Sequence, residues 1–86
     1  MNKNIKILGL NVYDRIKEAG LTQKVLTKYA HVIKMRFGFH EVNEDVCSRN
    51  AKIILYLTGD PNECKKLEFE LHEISGMEMQ EMNFIN

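Results

Sequence analysis

Five residues of this sequence carry side chains that bind metal ions or act as nucleophiles in proteins. They are His31, His40, Cys47, Cys64 and His72. Imidazole nitrogens and thiolates suit zinc and nickel, but a structural centre of this kind takes about four ligands. Only His40 and Cys47 are expected to converge, at the end of a predicted strand and in the loop after it. We therefore predict no metal centre, and a metal-responsive module that uses this pair is kept as an alternative.

Nucleophilic catalysis needs a nucleophile, a base and a group that orients the base. Cys64 falls on the apolar stripe of a predicted helix, so we interpret it as a small buried hydrophobic residue. The carboxylate pairs occupy predicted surface positions of a helix and a strand: Glu68/Glu70 and Glu78/Glu81. The sequence contains no GxSxG, HExxH or P-loop pattern. We therefore expect no enzymatic activity.

The segment that positions Cys64 has clear start and stop signals. Residues 53–57 are an apolar, β-favouring run that predicts a buried strand. Asp60 is a good helix N-cap, Pro61 suits the first helical position, and Glu63 completes a capping box. Gly76 supplies a left-handed stop. One buried helix stripe is predicted between them: Cys64, Leu67, Leu71 and Ile74.

Three more strands and one more helix are predicted from apolar periodicity. They are a strand over Asn4–Tyr13, a helix over Arg15–Tyr29, a strand over His31–His40 and a strand over Met77–Ile85. The first strand is apolar on both faces, and we assign Leu8, Leu10 and Val12 to the side that the helices cover. The last strand changes the parity of its apolar residues, which predicts a bulge near Gln80–Glu81.

The predicted second strand alternates between two sets of side chains. Ile33, Met35, Phe37 and Phe39 share one face, and Val32, Lys34, Arg36 and Gly38 share the other. An RNA-binding sheet presents aromatic and cationic side chains together. Here the alternation separates them, so an RNA- or protein-binding adaptor is the third hypothesis for function.

The element order β-α-β-β-α-β predicts an α+β, ferredoxin-like fold. It has a four-stranded antiparallel sheet with two helices on one face, and it forms a single domain over residues 1–86. The other face would be bare and apolar, so we expect a homodimer or a higher homo-oligomer. Charge is unevenly spread: there are eight Lys or Arg against three Asp or Glu up to Asn43, and four against nine from Glu44. The halves therefore carry +5 and −5, which favours self-complementary association.

Composition and charge limit the partners and the cellular compartment that we expect for this protein. The formal net charge is zero, which argues against direct DNA binding. There is no run of 18 apolar residues, so no membrane span is predicted. The two cysteines form no CxxC pair, which is typical of a reducing compartment, and we expect a cytoplasmic protein.

Two long stretches resemble one family, the iron-only hydrogenase system regulators. They are YAHVIKMRFGFHEV and IILYLTGDPNECKKLEFELHEISGMEMQEM. The most specific pieces are Tyr29-x-His31, Arg36-x-Gly38 and Ile74-Ser75-Gly76. The resemblance covers nearly the whole chain and implies an ACT-like ferredoxin fold and a regulatory role.

The same stretch is similar to the C-terminal domain of the nickel-responsive repressor. That domain carries H-x-H on strand two and a cysteine in the next loop. Here His40 matches the second histidine and Cys47 lies near the cysteine position, but Gly38 replaces the first histidine. ACT domains often hold an amino acid at a glycine turn after strand one, and here that turn is residues 11–14, without glycine.

These observations lead to one expectation for function. We expect a non-enzymatic regulatory or sensor module, homo-oligomeric, without a cofactor. A small effector or a protein partner would bind at a subunit interface near Arg36, Gly38 and His40, where Gly38 would allow close approach of the backbone.

Overall fold

The computed structural model describes residues 4–39 and 50–85. Within them the chain forms a four-stranded antiparallel sheet with strand order β2-β3-β1-β4. This arrangement confirms the ferredoxin-like βαββαβ fold. The elements are β1 Asn4–Val12, α1 Arg15–Lys28, a 3-10 helix Ala30–Val32, β2 Ile33–Phe39, β3 Ala51–Leu57, α2 Pro61–His72 and β4 Met77–Ile85.

One core lies between the sheet and the two helices. Leu8, Leu10 and Val12 are buried on the helix side of β1, as predicted. Because strand side chains alternate, the same parity in β3 buries Leu55 and Leu57. The helices complete the core with two stripes, of which the α2 stripe matches the predicted one: Thr22, Leu26 and Tyr29 near α1, and Cys64, Leu67, Leu71 and Ile74 near α2.

Helix α2 begins where the sequence predicted, with one difference in its cap. The Asp60 carboxylate accepts the Asn62 N–H at 2.9 Å, and Pro61 is the first helical residue. The capping box predicted for Glu63 is wrong. Its carboxylate lies 3.0 Å from His31 Nε2 and 3.0 Å from Lys66 Nζ, so it pairs with side chains on the surface and not with the N-cap backbone.

Helix α2 also ends earlier than the glycine suggested. Its last residue is His72, and Gly76 has the left-handed φ of 75° at the start of β4. The Gly76 carbonyl accepts the Tyr13 N–H at 2.9 Å. Gly76 therefore turns the chain into the sheet after the helix has already ended.

Strand β2 differs from the prediction in its start and its parity. Residues 30–32 form a 3-10 helix, so His31 lies outside the strand. A bulge falls between Ile33, which opposes Leu57, and Met35, which opposes Tyr56. It puts Ile33 on the helix side, where it packs against the core, and Met35 on the opposite side, because the extra residue of a bulge reverses the alternation of the side chains that follow.

The bulge predicted in β4 is wrong. Strand β4 pairs with β1 in continuous register from Val12↔Met77 to Asn4↔Ile85. The apolar residues change parity because the helix side is itself polar at this end of the sheet. Lys6 and Glu81 occupy that side, which leaves Met82 and Phe84 for the bare side.

Helix α1 begins at Arg15 and ends at Lys28, one residue before the predicted end. Gly20 lies exposed within it and does not delay the start. The Thr22 hydroxyl is buried and has no hydrogen-bond partner within the described part of the chain. Among the described residues, neither helix is long and apolar enough to cross a membrane.

Candidate functional site

The side of the sheet that faces away from the helices is the most unusual surface of the described residues. We call it the open face. Its side chains form rows across the four strands, fixed by the strand register. The first row is apolar and consists of Met35, Tyr56, Ile7 and Met82. The second row contains a glycine and consists of Phe37, Ile54, Gly9 and Gln80. A pair formed by Ile5 and Phe84 lies at the end of the sheet. Met35, Phe37 and Met82 expose 66%, 63% and 54% of their surface.

Polar groups lie at the opposite end of the open face and along its β2 side. Lys52 Nζ donates to Asn11 Oδ1 at 2.8 Å. The Tyr13 hydroxyl donates to the Glu78 carboxylate at 3.4 Å. Lys34 Nζ lies 5.9 Å from the centre of the Tyr56 ring, within the range of a cation–π contact. The predicted separation of cations from aromatics is therefore wrong for Lys34, because the β2 bulge brings it toward the open face.

Arg36 lies on the other side of β2, beside helix α1. Its two terminal nitrogens each donate to Gln23 Oε1 at 3.3 Å. A groove of about 330 Å³ runs between α1 and the outer edge of β2. Among the described lining residues there are two cations, Lys34 and Arg36, and no carboxylate, which gives this part of the groove a positive character. Its lining residues are Gln23, Leu26, Thr27, Ala30, Ile33, Lys34, Met35 and Arg36.

Of the other two predicted ligand-binding residues, Gly38 and His40, the structure describes only Gly38. Gly38 is exposed two residues beyond Arg36, and a side chain added there would lie 3.8 Å from Ile53. Gly38 does not line the groove that contains Arg36. His40 and Cys47 lie outside the described residues, so the effector contact of His40 and the metal pair both stay predictions.

The remaining candidate ligands are dispersed. His31 pairs with Glu63 between the helices, and His72 is exposed on α2. Cys64 is 7% exposed, and burial raises the pKa of its thiol. Among residues 4–39 and 50–85, no group of three or more His, Cys, Asp or Glu side chains is placed to hold a metal ion.

A charged cluster between α2 and the sheet was not predicted. Lys6 Nζ lies 2.7 Å from Glu68 and 3.6 Å from Glu81. Glu68 and Glu81 had been interpreted as surface carboxylates, but the Glu68 side chain keeps only 14% of its exposure. The parity of β1 was an available signal, because Lys6 shares a face with Leu8 and a buried lysine requires a carboxylate partner.

The cluster shifts the pKa values of its members in opposite directions. Burial, followed by a hydrogen bond with Glu81, raises the pKa of Glu68. The same hydrogen bond lowers the pKa of Glu81. Burial would lower the pKa of Lys6, but its bond to Glu68 and the nearby carboxylates raise it overall. The three groups therefore act as a structural ion cluster that pins α2 to β1 and β4.

The strand order and the two helices place the chain among the small ferredoxin-like folds. The uncharacterized protein TM1266 from Thermotoga maritima is similar over 95% of this chain and 98% of its own, with 28% identity and a TM-score of 0.79. A second similar structure is CPII, a nitrogen regulatory PII-like protein from Thiomonas intermedia solved with ADP, AMP and bicarbonate. It shares 9% identity over 100% of this chain and 96% of its own, with a TM-score of 0.65.

A third similar structure is a dimeric ferredoxin-like protein of unknown function from Thermobifida fusca. It shares 9% identity over 98% of this chain and 92% of its own, with a TM-score of 0.50. No protein-family model and no curated protein sequence matches the chain. The similarities therefore establish the ferredoxin-like fold.

Proposed function

We propose that this protein is a non-enzymatic regulatory module that acts as a homo-oligomer and responds to a small anionic effector. The observation that carries the proposal is the open face. Its exposed apolar side chains are contiguous in the strand register, and patches of several hundred Å² on a small protein usually mark an interaction site.

A second copy of the chain is the occupant that this face suits. A chain of 86 residues buries a modest core, so association that covers a second apolar face adds stability that the monomer lacks. The Thermobifida fusca protein with this fold is itself described as dimeric. The opposite charges of the two halves of the sequence favour pairing between copies.

The groove beside Arg36 is the proposed effector site. Lys34 and Arg36 supply positive charge, Gln23 holds the guanidinium, and none of the lining residues that the structure describes is a carboxylate that would repel an anion. The PII-like protein from Thiomonas intermedia was solved with three anions, ADP, AMP and bicarbonate. An anionic effector also agrees with the sensor role implied by the resemblance to the hydrogenase system regulators.

Sedimentation equilibrium at low micromolar concentration tests the assembly. We expect a mass at least twice the 10.0 kDa of the chain. Phe37→Glu puts a charge on the open face and should give a folded monomer, because an unpaired charge is costly to bury in an interface. Phe69→Glu is the matched control, since Phe69 is equally exposed on α2. A monomeric wild type, or equal effects of the two variants, would refute the proposal.

Thermal melting with ADP, AMP or bicarbonate as probes tests the effector. At about 100 times its dissociation constant a ligand should raise Tm by roughly 15 °C in a domain of this size. Arg36→Gln should abolish the rise, whereas Lys24→Gln, on the exposed surface of α1, should keep it. If all three anions leave Tm unchanged, or if Arg36→Gln responds like wild type, the groove is not an anion site for these probes.

Single-stranded RNA is a second candidate partner, favoured by the contact of Lys34 with the Tyr56 ring. This contact brings a cation to the face that carries Phe37 and Phe84. Bases stack on exposed aromatic rings, and cations bind the phosphates. Fluorescence anisotropy of a labelled uridine oligomer at low salt tests it. Binding that is lost in Phe37→Ala but kept in Phe69→Ala would favour this candidate over self-association.

A further inference from the structure

Gly9 lies in the middle of the open face, and the isolated chain gives no reason for a glycine there. Its backbone does not adopt the left-handed conformation that favours glycine. A side chain added at Gly9 would meet no atom of residues 4–39 and 50–85 within 4 Å. Glycine also weakens a strand interior, and it often marks a place where another surface approaches closely. The missing side chain leaves a hollow between the protruding side chains of Ile54 and Gln80 in the same row.

The neighbour of Gly9 in the same row is a protruding side chain. Ile54 pairs directly with Gly9 in the strand register and exposes 44% of its surface. These two residues lie on the two central strands, β1 and β3. In an interface with two-fold symmetry, residue i of one copy contacts residue j of the other, and the reverse contact follows. A hollow and a protrusion side by side are therefore self-complementary.

We propose that a second copy packs on the open face with Ile54 of each copy seated in the Gly9 hollow of the other. This inference rests on the proposed homo-oligomer and specifies its packing. The two-fold axis lies between the two sheets and runs parallel to the strands, between β1 and β3. That axis places each β3 over the partner's β1 and each β2 over the partner's β4. Met35 then lies over Met82, which closes the apolar row at both edges.

Charge on the open face selects this axis. Lys34 and Lys52 lie on the β2–β3 half of the face, whereas Glu78 lies on β4. An axis parallel to the strands lays the cationic half of one copy over the half that contains Glu78 in the other. An axis perpendicular to the strands would lay β2 over β2 and β3 over β3, which brings like charges together. Both the shape and the charges therefore favour the same arrangement.

Gly9→Val tests the packing directly. The side chain enters open space in the monomer and suits a strand, so the monomer should fold and melt no lower than wild type. In the dimer the valine occupies the hollow twice, and overpacking at two symmetric contacts should raise the dissociation constant about 100-fold. Gly20→Val is the control, because Gly20 is exposed on α1 and a side chain there also meets nothing within 4 Å.

The double variant Gly9→Val/Ile54→Ala identifies the partner of the hollow. Removing the protrusion makes room for the valine, so the double variant should dimerise more tightly than Gly9→Val alone. Sedimentation equilibrium measures the association, and circular dichroism shows that each variant is folded. If Gly9→Val does not fold, Gly9→Ala gives the same comparison with a smaller side chain.

The outcomes separate this packing from the proposed assembly. A dimer that Gly9→Val weakens and Ile54→Ala restores supports the inference. A dimer that tolerates Gly9→Val but is lost in Phe37→Glu keeps the open-face assembly and overturns the packing. Weakening by Gly9→Val that Ile54→Ala does not relieve also overturns it. A monomeric wild type overturns both.

Discussion

The two faces of the same sheet are both apolar, yet they differ completely in what they expose. On the helix side Leu8 and Leu55 are 0% exposed, whereas on the open face Met35 and Phe37 expose more than half of their surface. The helix stripes cover one face and none lies over the other. Hydrophobic alternation shows which residues share a face, but the position of the helices decides which face becomes the core.

The two faces also differ in the surroundings of their lysine side chains. On the helix side Lys6 lies in a partly buried cluster, 2.7 Å from a carboxylate oxygen of Glu68. On the open face Lys34 lies beside the Tyr56 ring and stays exposed. Burial makes a charged partner necessary, whereas water solvates the exposed cation. The lysine of the covered face therefore contributes to stability through its carboxylate partners, whereas the lysine of the open face stays accessible to solvent.

The largest expected effect comes from the helix-covered face. Leu71→Ala should lower the free energy of unfolding by about 2–5 kcal/mol, because it opens a cavity in a close-packed core. Met35→Ala on the open face is the comparison and should change monomer stability by about 0.5 kcal/mol or less. Urea denaturation measures both, with Phe37→Glu as a monomeric background. Equal losses in the two variants would contradict the assignment of core and open face.

A smaller effect is expected at the start of α2. Asp60→Ala should destabilise the protein by about 1 kcal/mol, because the Asn62 N–H loses its acceptor. Asn62→Ala is the matched control, since it keeps the backbone N–H and the Asp60 carboxylate. Denaturation in urea again provides the measurement. A loss greater than that of Leu71→Ala would mean that the helix register is wrong.

The smallest effect concerns pH and the surface between the helices. The hydrogen bond from the Tyr29 hydroxyl, and then Lys28, lower the pKa of Glu70 below its ordinary value of 4.5. A lowered carboxylate pKa stabilises the fold above pH 4.5, and this stabilisation is lost as pH falls through the pKa of the folded state. Tyr29→Phe should therefore raise the Glu70 pKa and make stability less sensitive to acid.

Carbon-detected NMR titration of the Glu70 carboxyl measures this shift in pKa. Thermal melts at neutral and acid pH measure the change in stability. Tyr13→Phe removes a tyrosine hydroxyl that donates to a different carboxylate, Glu78, and leaves the Tyr29–Glu70 bond in place. The prediction is wrong if Tyr13→Phe moves the Glu70 pKa as far as Tyr29→Phe does.

Local patterns in the sequence were sufficient for the fold order, the α2 stripe and the inward face of β1. They were insufficient for β2 and β4. A change in apolar parity has two causes, a bulge or a change in the polarity of the covered face, and the sequence does not distinguish them. In β2 the bulge is real, whereas in β4 the register is continuous and Lys6 on the neighbouring strand makes the covered face polar.

The candidate site was predictable only in part. Arg36 and Gly38 were selected from one strand, and Arg36 does line a groove. Its partner Gln23 lies on α1, and nothing in the spacing of the sequence joins these two residues. The Gly9 hollow could not be predicted either, because the effect of a glycine in a strand on the surface depends on its neighbours across the sheet. Contacts between distant segments are set by tertiary packing, which local patterns do not encode.

Because Cys64 of α2 is buried in the core, the rate at which its thiol is labelled measures the opening of α2 away from the sheet. Its thiol is 7% exposed and its pKa is raised, so a disulfide reagent can react only after the helix has moved away. Cys47→Ser leaves a single reactive sulfur, since the sequence contains two cysteines. The labelling rate, divided by that of the unfolded chain, then gives the fraction of molecules in which α2 is open when reclosing outpaces labelling. The Cys64 sulfur atom, which packs in the core, thus reports the fraction of molecules in which that core is open.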